Sequence, residues 1–340
     1  MNKYTNVYVT GSIAYDTIMD FPGEFKNYFH PEKLHQINVS FVVKKLEKQL
    51  GGTGTNISYN VSQIINKNLP TFAKASVGKQ LSKISILGSV GKDGKEFVNF
   101  FKKNNIDAGG VIVDKELYTA SGSVITDTKN NQIWGFYYGA SEKIPYIDFK
   151  KLNRETDLLV ISANHKNSFL YFQREAIKNK IPYFYDPGMT LTWIKDNDLE
   201  EGVLNCRYLI GNDYEIAMIL KRIKKTVNGL TGLGLKIITT LGEEGVRYEE
   251  KSKIQNSKLQ INLKSKIINI PAHKVKKVVD PTGAGDAWRG GFVAGLLINY
   301  PTKDCLKLGN VMASFAIEKY GTVNHRPTKK DIEKRMSEIF

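Results

Sequence analysis

Short, nearly continuous apolar runs alternate with amphipathic stretches along most of this chain. The runs at Asn6–Thr10, Ile84–Val90, Leu158–Ser162, Tyr183–Asp186, Tyr208–Gly211 and Lys236–Leu241 predict strands. Amphipathic segments predict helices over Thr53–Asn66, Lys95–Asn104, Ser168–Lys180, Asp213–Lys225, Asp286–Tyr300, Lys303–Tyr320 and Lys329–Ile339. A strand that buries both faces loses the apolar–polar alternation, so this pattern implies a mostly parallel sheet flanked by helices, an α/β fold. No clean linker divides the sequence, and residues 1–340 read as one unit.

Two regions break the alternation. His35–Lys44 and Thr119–Tyr138 carry period-two patterning and read as additional extended segments. Two others exceed the expected connection length and read as surface-loop insertions: 67–83, and the Lys-, Ser-, Gln- and Asn-rich 249–266. Gly78-Lys79 is not a phosphate loop, because the first glycine and the following Ser/Thr of that motif are missing.

Composition narrows the function classes. The chain has 340 residues, enough for a large core, and its 41% hydrophobic and 24% charged content is ordinary for a globular protein. Cys206 and Cys305 are far apart, with no second Cys or His at ligand spacing, which argues against a disulfide framework or a zinc site and fits a reducing cytoplasm. No signal peptide is visible, and the longest apolar run is too short for a bilayer, so no membrane association is expected. The net charge of +15 raises nucleic acid as a partner. The lysines are spread along the chain instead of gathered on one reading helix, so no nucleic-acid partner is expected.

The chemistry concentrates in Val279-Asp280-Pro281-Thr282-Gly283-Ala284-Gly285-Asp286-Ala287. A β-branched segment ends there, a small-residue turn follows, and an apolar helix begins. Uncovered N–H groups at a helix N-terminus bind anions. A carboxylate placed directly after such a turn would repel a phosphate, but it is well placed as a base beside one. A base that takes a hydroxyl proton while the turn holds phosphate charge is the arrangement for phosphoryl transfer to an alcohol. The plain alternative is a glycine loop with a helix-capping Asp.

The order of residues in this stretch resembles the C-terminal signature of the ribokinase (PfkB) family of carbohydrate and nucleoside kinases. The resemblance implies a ribokinase-like fold with a small β-sheet lid, drawn here from about 13–50 and 117–140. It implies Asp286 as catalytic base and Gly283, Ala284 and Gly285 as the anion hole. It implies ATP and Mg2+ as cofactors and leaves K+ dependence open. Pro281 and the stretches around Ser12, Phe21 and Ser40 are similar to bacterial adenosine kinases. Adenosine, phosphorylated at its 5′-hydroxyl, is therefore the leading acceptor. A PfkB-type sugar kinase acting on ribose or fructose is the alternative, and a non-catalytic nucleotide- or sugar-binding module is a third.

Other positions gain meaning beside that resemblance. Asp16 follows the first strand, where an Asx-turn is the plain reading and a sugar-diol ligand the implied one. Ser12 belongs to the same stretch and is counted with the substrate site. Gly51-Gly52-Thr53-Gly54-Thr55-Asn56 fails the dinucleotide fingerprint, but its paired glycines permit close ligand approach and Asn56 offers a donor and an acceptor. Asn212 and Glu215 have the spacing of a capping box, and by resemblance they position Mg2+ and phosphates, largely through water. Thr240, Gly242 and Gly245 resemble a turn beside the nucleotide phosphates, and Asn310 falls where the family's helices border adenine. Gly229, Gly232 and Gly234 precede a strand instead of following one and are set aside. The five histidines lack metal-ligand spacing. Trp134, Phe136, Tyr137 and Tyr138 form an aromatic group in the lid that packs its core or stacks on a base. Met189 and Thr190 offer no side-chain amide to a purine. A small-molecule partner and a monomer or homodimer are expected.

Overall fold

The computed structural model describes residues 4–29, 38–67, 82–129, 131–256 and 260–339. Among these residues the dominant element is a nine-stranded sheet. Its parallel part runs in spatial order β11 (Lys236–Thr240), β10 (Tyr208–Asn212), β9 (Tyr183–Asp186), β8 (Asp157–Ser162), β1 (Asn6–Thr10), β4 (Lys83–Val90) and β5 (Asp107–Val113). β12 (Val246–Asn256) and β13 (Gln260–Ile270) extend one edge as an antiparallel pair.

Successive side chains of a strand point to opposite faces, and here both faces are dry. Leu158 and Val160 enter a core shared with Ile57, Trp288 and Phe292, whereas Leu159 and Ile161 enter one shared with Phe169, Leu199 and Ile216. The first core lies under α1 (Thr53–Ile65), α2 (Lys95–Lys103), α7 (Ala284–Leu297) and α8 (Thr302–Ala316). The second lies under α3 (Lys166–Asn179), α4 (Asp196–Asn205) and α5 (Asp213–Arg222).

A separate four-stranded sheet has the order β3 (Lys45–Gly51), β2 (Ala14–Asp20), β6 (Ala120–Thr126) and β7 (Gln132–Tyr137). β2 pairs antiparallel with β3 and parallel with β6, and β6–β7 is a hairpin. Beside it Phe21, Phe25, Tyr28 and Phe41 interlock, with centroids 4.9 to 5.7 Å apart.

Several expectations shift. The strand expected at His35–Lys44 lies instead at Lys45–Gly51; residues 35–37 are outside the described residues and 38–44 join no sheet. Of segment 249–266, expected to be an inserted loop, residues 249–256 and 260–266 are built into β12 and β13, which pair from Val246↔Ile270 to Asn256↔Gln260, and 257–259 lie outside the described residues. Of segment 67–83, residues 68–81 lie outside the described residues. Pattern reading also missed α4 and the short α6 (Val227–Gly232), which contains Gly229 and ends at Gly232. Among the described residues, no helix is long and apolar enough to cross a membrane.

Candidate active site

The sheet reverses its build direction between β1 and β8, and the carboxyl ends of those strands are where open α/β sheets bind ligands. Most of the expected site residues collect there. β1 ends at Thr10, and the chain turns through Ser12 into β2, which carries Asp16. A Cβ on Gly51 would stand 1.9 Å from Asp16 Oδ2, so the absence of a side chain at 51 is what admits the carboxylate. Gly52 precedes α1 as its N-cap with φ +87°.

α7 begins at the glycine turn. Gly283 is its N-cap in the left-handed region, φ +76°. Asp280 fixes the turn: one oxygen accepts from Thr282 N–H at 2.9 Å and the other from Gly321 N–H at 3.0 Å. The Ala284 N–H donates to the Pro281 carbonyl at 3.2 Å, a correction to its expected place among the free donors. The N–H groups of Gly285 and Asp286 have no backbone acceptor among the described residues, as the first turn of a helix requires. Those donors, the Gly283 N–H, which likewise has no backbone acceptor among the described residues, and the helix dipole are what this helix start offers an anion.

Asp286 is half-buried at the third position of α7 and accepts from Asn56 Nδ2 at 2.8 Å. Burial pushes its carboxyl up, Arg289 and the Asn56 bond pull it down, and Asp186 and Glu215 push up again; the balance is about 6. Asp16 is pushed up further, to about 7, by burial and then by Asp286 and Asp280. Two carboxylates that share a desolvated space resist joint ionisation. Such perturbed groups at a cleft mark functional sites.

A cleft of about 740 Å³ opens beside the turn, with Thr240, Gly242, Gly245, Gly285, Trp288 and Asn310 on its walls. A second cavity, of about 770 Å³, lies at the amino ends of the strands, near Tyr4, Thr156, Arg207 and Leu235. None of the expected site residues lines it, so the chemistry belongs with the first.

Three expected ligands are already committed. Ser12 Oγ accepts from Thr53 N–H at 3.1 Å, so its side chain already supports the start of α1. Asn56 gives its amide N–H to Asp286 and receives the Thr322 hydroxyl at 2.7 Å, so it aims the carboxylate instead of waiting for a substrate hydroxyl. Asn310 is buried; its amide donates to the carbonyls of Ile270 and Pro271 and accepts from Trp288 Nε1 at 2.7 Å. It shapes the cleft wall and has both N–H groups occupied.

Asn212 and Glu215 form the complete capping box of α5, each bond 2.8 Å. Asn212 is in register with Thr240, which brings this helix start to the same sheet end. Among the described residues no three acidic or His/Cys groups gather as a metal cage. One carboxylate that reaches a cation through water fits Mg2+, which keeps several waters and takes phosphate oxygens as ligands. Just after β7 of the small sheet, Tyr138 packs on His165 at 5.1 Å and on Phe136 at 5.0 Å. The side chain of Trp134 lies outside the described residues.

Sequence reading missed the centre of the site. Arg289 Nη2 donates to Asp186 Oδ1 at 2.6 Å, with both side chains buried. The two residues are distant in sequence, and nothing local to either signals the other.

A parallel sheet with a small second sheet, an anion turn and a carboxylate poised next to it define a kinase. A family model, pfkB family carbohydrate kinase, matches residues 16–329. The chain belongs to that family, with the ribokinase-like α/β fold. It is similar to the nucleoside kinase of Methanothermobacter thermautotrophicus, 28% identical over 99% of this chain and 97% of the relative. It is also similar to the ribokinase of Lactococcus lactis, 26% identical over 76% of this chain and 81% of the relative. Among solved structures, Burkholderia thailandensis nucleoside kinase in complex with ADP-inosine superposes with a TM-score of 0.75 at 25% identity, covering 98% of this chain and 96% of that one.

Proposed function

We propose that the protein transfers the γ-phosphoryl group of ATP to the 5′-hydroxyl of a nucleoside, adenosine foremost. The observation that carries the reading is that Asp286, whose charge acts on Asp16, directly follows Gly285 at the helix start that lines the 740 Å³ cleft. The nucleoside kinase relatives favour a nucleoside over a free sugar.

Asp16 binds acceptor hydroxyls, in room left by Gly51. Asp286, aimed by Asn56, takes the proton of the attacking hydroxyl. The N–H groups at the start of α7 stabilise charge on the transferred group, and the walls formed by Thr240, Gly242 and Gly245 flank the nucleotide. Mg2+, held by Glu215 through water, would neutralise phosphate oxygens. The four-stranded sheet is the lid, and its closure excludes water, which protects ATP from hydrolysis. A single domain, acting as a monomer or homodimer in the cytoplasm, suffices for this chemistry.

A coupled ADP-release assay across adenosine, inosine, cytidine, ribose and fructose tests the reading. A pocket group that pairs with the base and is left unpaired by a free sugar costs about 1–3 kcal/mol, so adenosine is expected to exceed ribose in kcat/KM by well over tenfold. Ribose or fructose turned over as well as adenosine would overturn the nucleoside assignment in favour of a sugar kinase.

A further inference from the structure

Arg289 sits three residues beyond Asp286 on α7, on the same helical face. Its guanidinium is enclosed. Nη2 is bound to Asp186, whose other oxygen accepts the Ser162 hydroxyl at 2.7 Å. Nη1 fills the space that a side chain at Gly285 would need: a Cβ there would lie 2.8 Å from it. Nε is buried with no hydrogen-bond partner among the described residues. The glycine of the anion turn thus serves two neighbours, an incoming phosphate on one side and a cation underneath. The charged groups acting on Asp286 from other elements are acidic: Asp16 on β2, Asp186 on β9 and Glu215 on α5, with Asp280 beyond Asp16. Arg289 supplies the opposing charge.

We propose that Arg289, clamped by Asp186, is a positioning residue that holds the Asp286 carboxylate ionised beneath the Gly283–Gly285 turn. This rests on the reading of Asp286 as the base. In the step it supports, the acceptor O–H bond breaks and its proton passes to Asp286. The alcohol oxygen then bonds to the γ-phosphorus while the bond to the ADP oxygen breaks. Asp286 can act only in the charged form. Without Arg289, burial and the surrounding carboxylates favour the neutral one; consistent with this, Arg289 is the largest influence pulling the Asp286 carboxyl down.

The test compares Arg289→Gln, Arg289→Met and Arg289→Lys in two measurements between about pH 5 and 9. The first is the acid limb of kcat for the best acceptor. The second is infrared titration of the Asp286 carboxyl in the protein without substrates, its band assigned by its loss in Asp286→Asn. An opposite charge at close range shifts a carboxyl by about 1–3 pH units, so Arg289→Gln is expected to raise both midpoints by that amount. Arg289→Lys, which keeps the charge, is expected to leave them near wild type even if kcat falls. Arg289→Met, which also removes the charge but keeps a long unbranched side chain, is expected to raise them likewise, and it keeps the test open if Arg289→Gln does not fold. Midpoints unmoved in Arg289→Gln, or in Arg289→Met when only that variant folds, would overturn the proposal and leave Arg289 a packing residue. If no acceptor is phosphorylated at all, the functional reading fails separately, and the infrared titration still judges Arg289.

Discussion

At the scale of single residues, the site is a balance between burial and charge. A free Asp titrates near 4, whereas burial and Asp286 hold Asp16 at about 7. Between those values the folded protein keeps a proton that the unfolded chain has released. Stability from this residue is therefore full below about pH 4 and is lost as pH rises through about 7. Asp16→Asn removes the cost of ionisation. Its urea midpoint should exceed wild type by a margin that grows from pH 5 to pH 8, while its KM for the acceptor rises. A margin independent of pH would contradict the charge account of Asp16. Legibility at this scale follows sequence distance. Asp286 and its turn stand out in the sequence because the glycines and the proposed base are contiguous. The partners that govern the base were not: Asn56 reaches it from α1 and Arg289 is clamped by Asp186, contacts that only folding creates.

At the scale of elements, helix starts do most of the positioning. α1 is anchored by Ser12, α7 by the Gly283 turn and α5 by the Asn212–Glu215 box. Asn212→Ala should cost about 1 kcal/mol of stability, the usual worth of an N-cap, read as a lower urea midpoint. Asn212→Asp keeps a capping oxygen but adds negative charge near the phosphates, so stability should stay near wild type while KM for ATP rises. Equal destabilisation by both variants would contradict the capping role. Six of the seven parallel strands and the long helices were legible because burial on two faces, or on one stripe, writes itself into the pattern; β5, partly exposed along its length, was not. β12 and β13 were not, because their Lys-, Ser-, Gln- and Asn-rich text carries little β propensity and their order comes from pairing with each other and with β11. β3 was misplaced because Lys45–Gly51 is largely polar and partly exposed, so hydrophobic patterning gave no boundary.

At the scale of the whole molecule, two sheets and one switch point account for the site. The large sheet presents Asp186 and the loop after β1, α7 presents the turn and Asp286, and the small sheet brings Asp16 to them. Fold and family were legible from the alternation of elements and one signature. The cleft was not, because its walls come from β11, the segment after β13, α7 and α8 together. The central claim is that Asp286 is the base of a phosphoryl transfer. The most direct measurement is steady-state turnover of Asp286→Asn with its best acceptor, alongside its ATP affinity and urea midpoint. The account predicts turnover lowered by roughly 100- to 10,000-fold with nucleotide binding and fold retained. Turnover near wild type in that variant would contradict it.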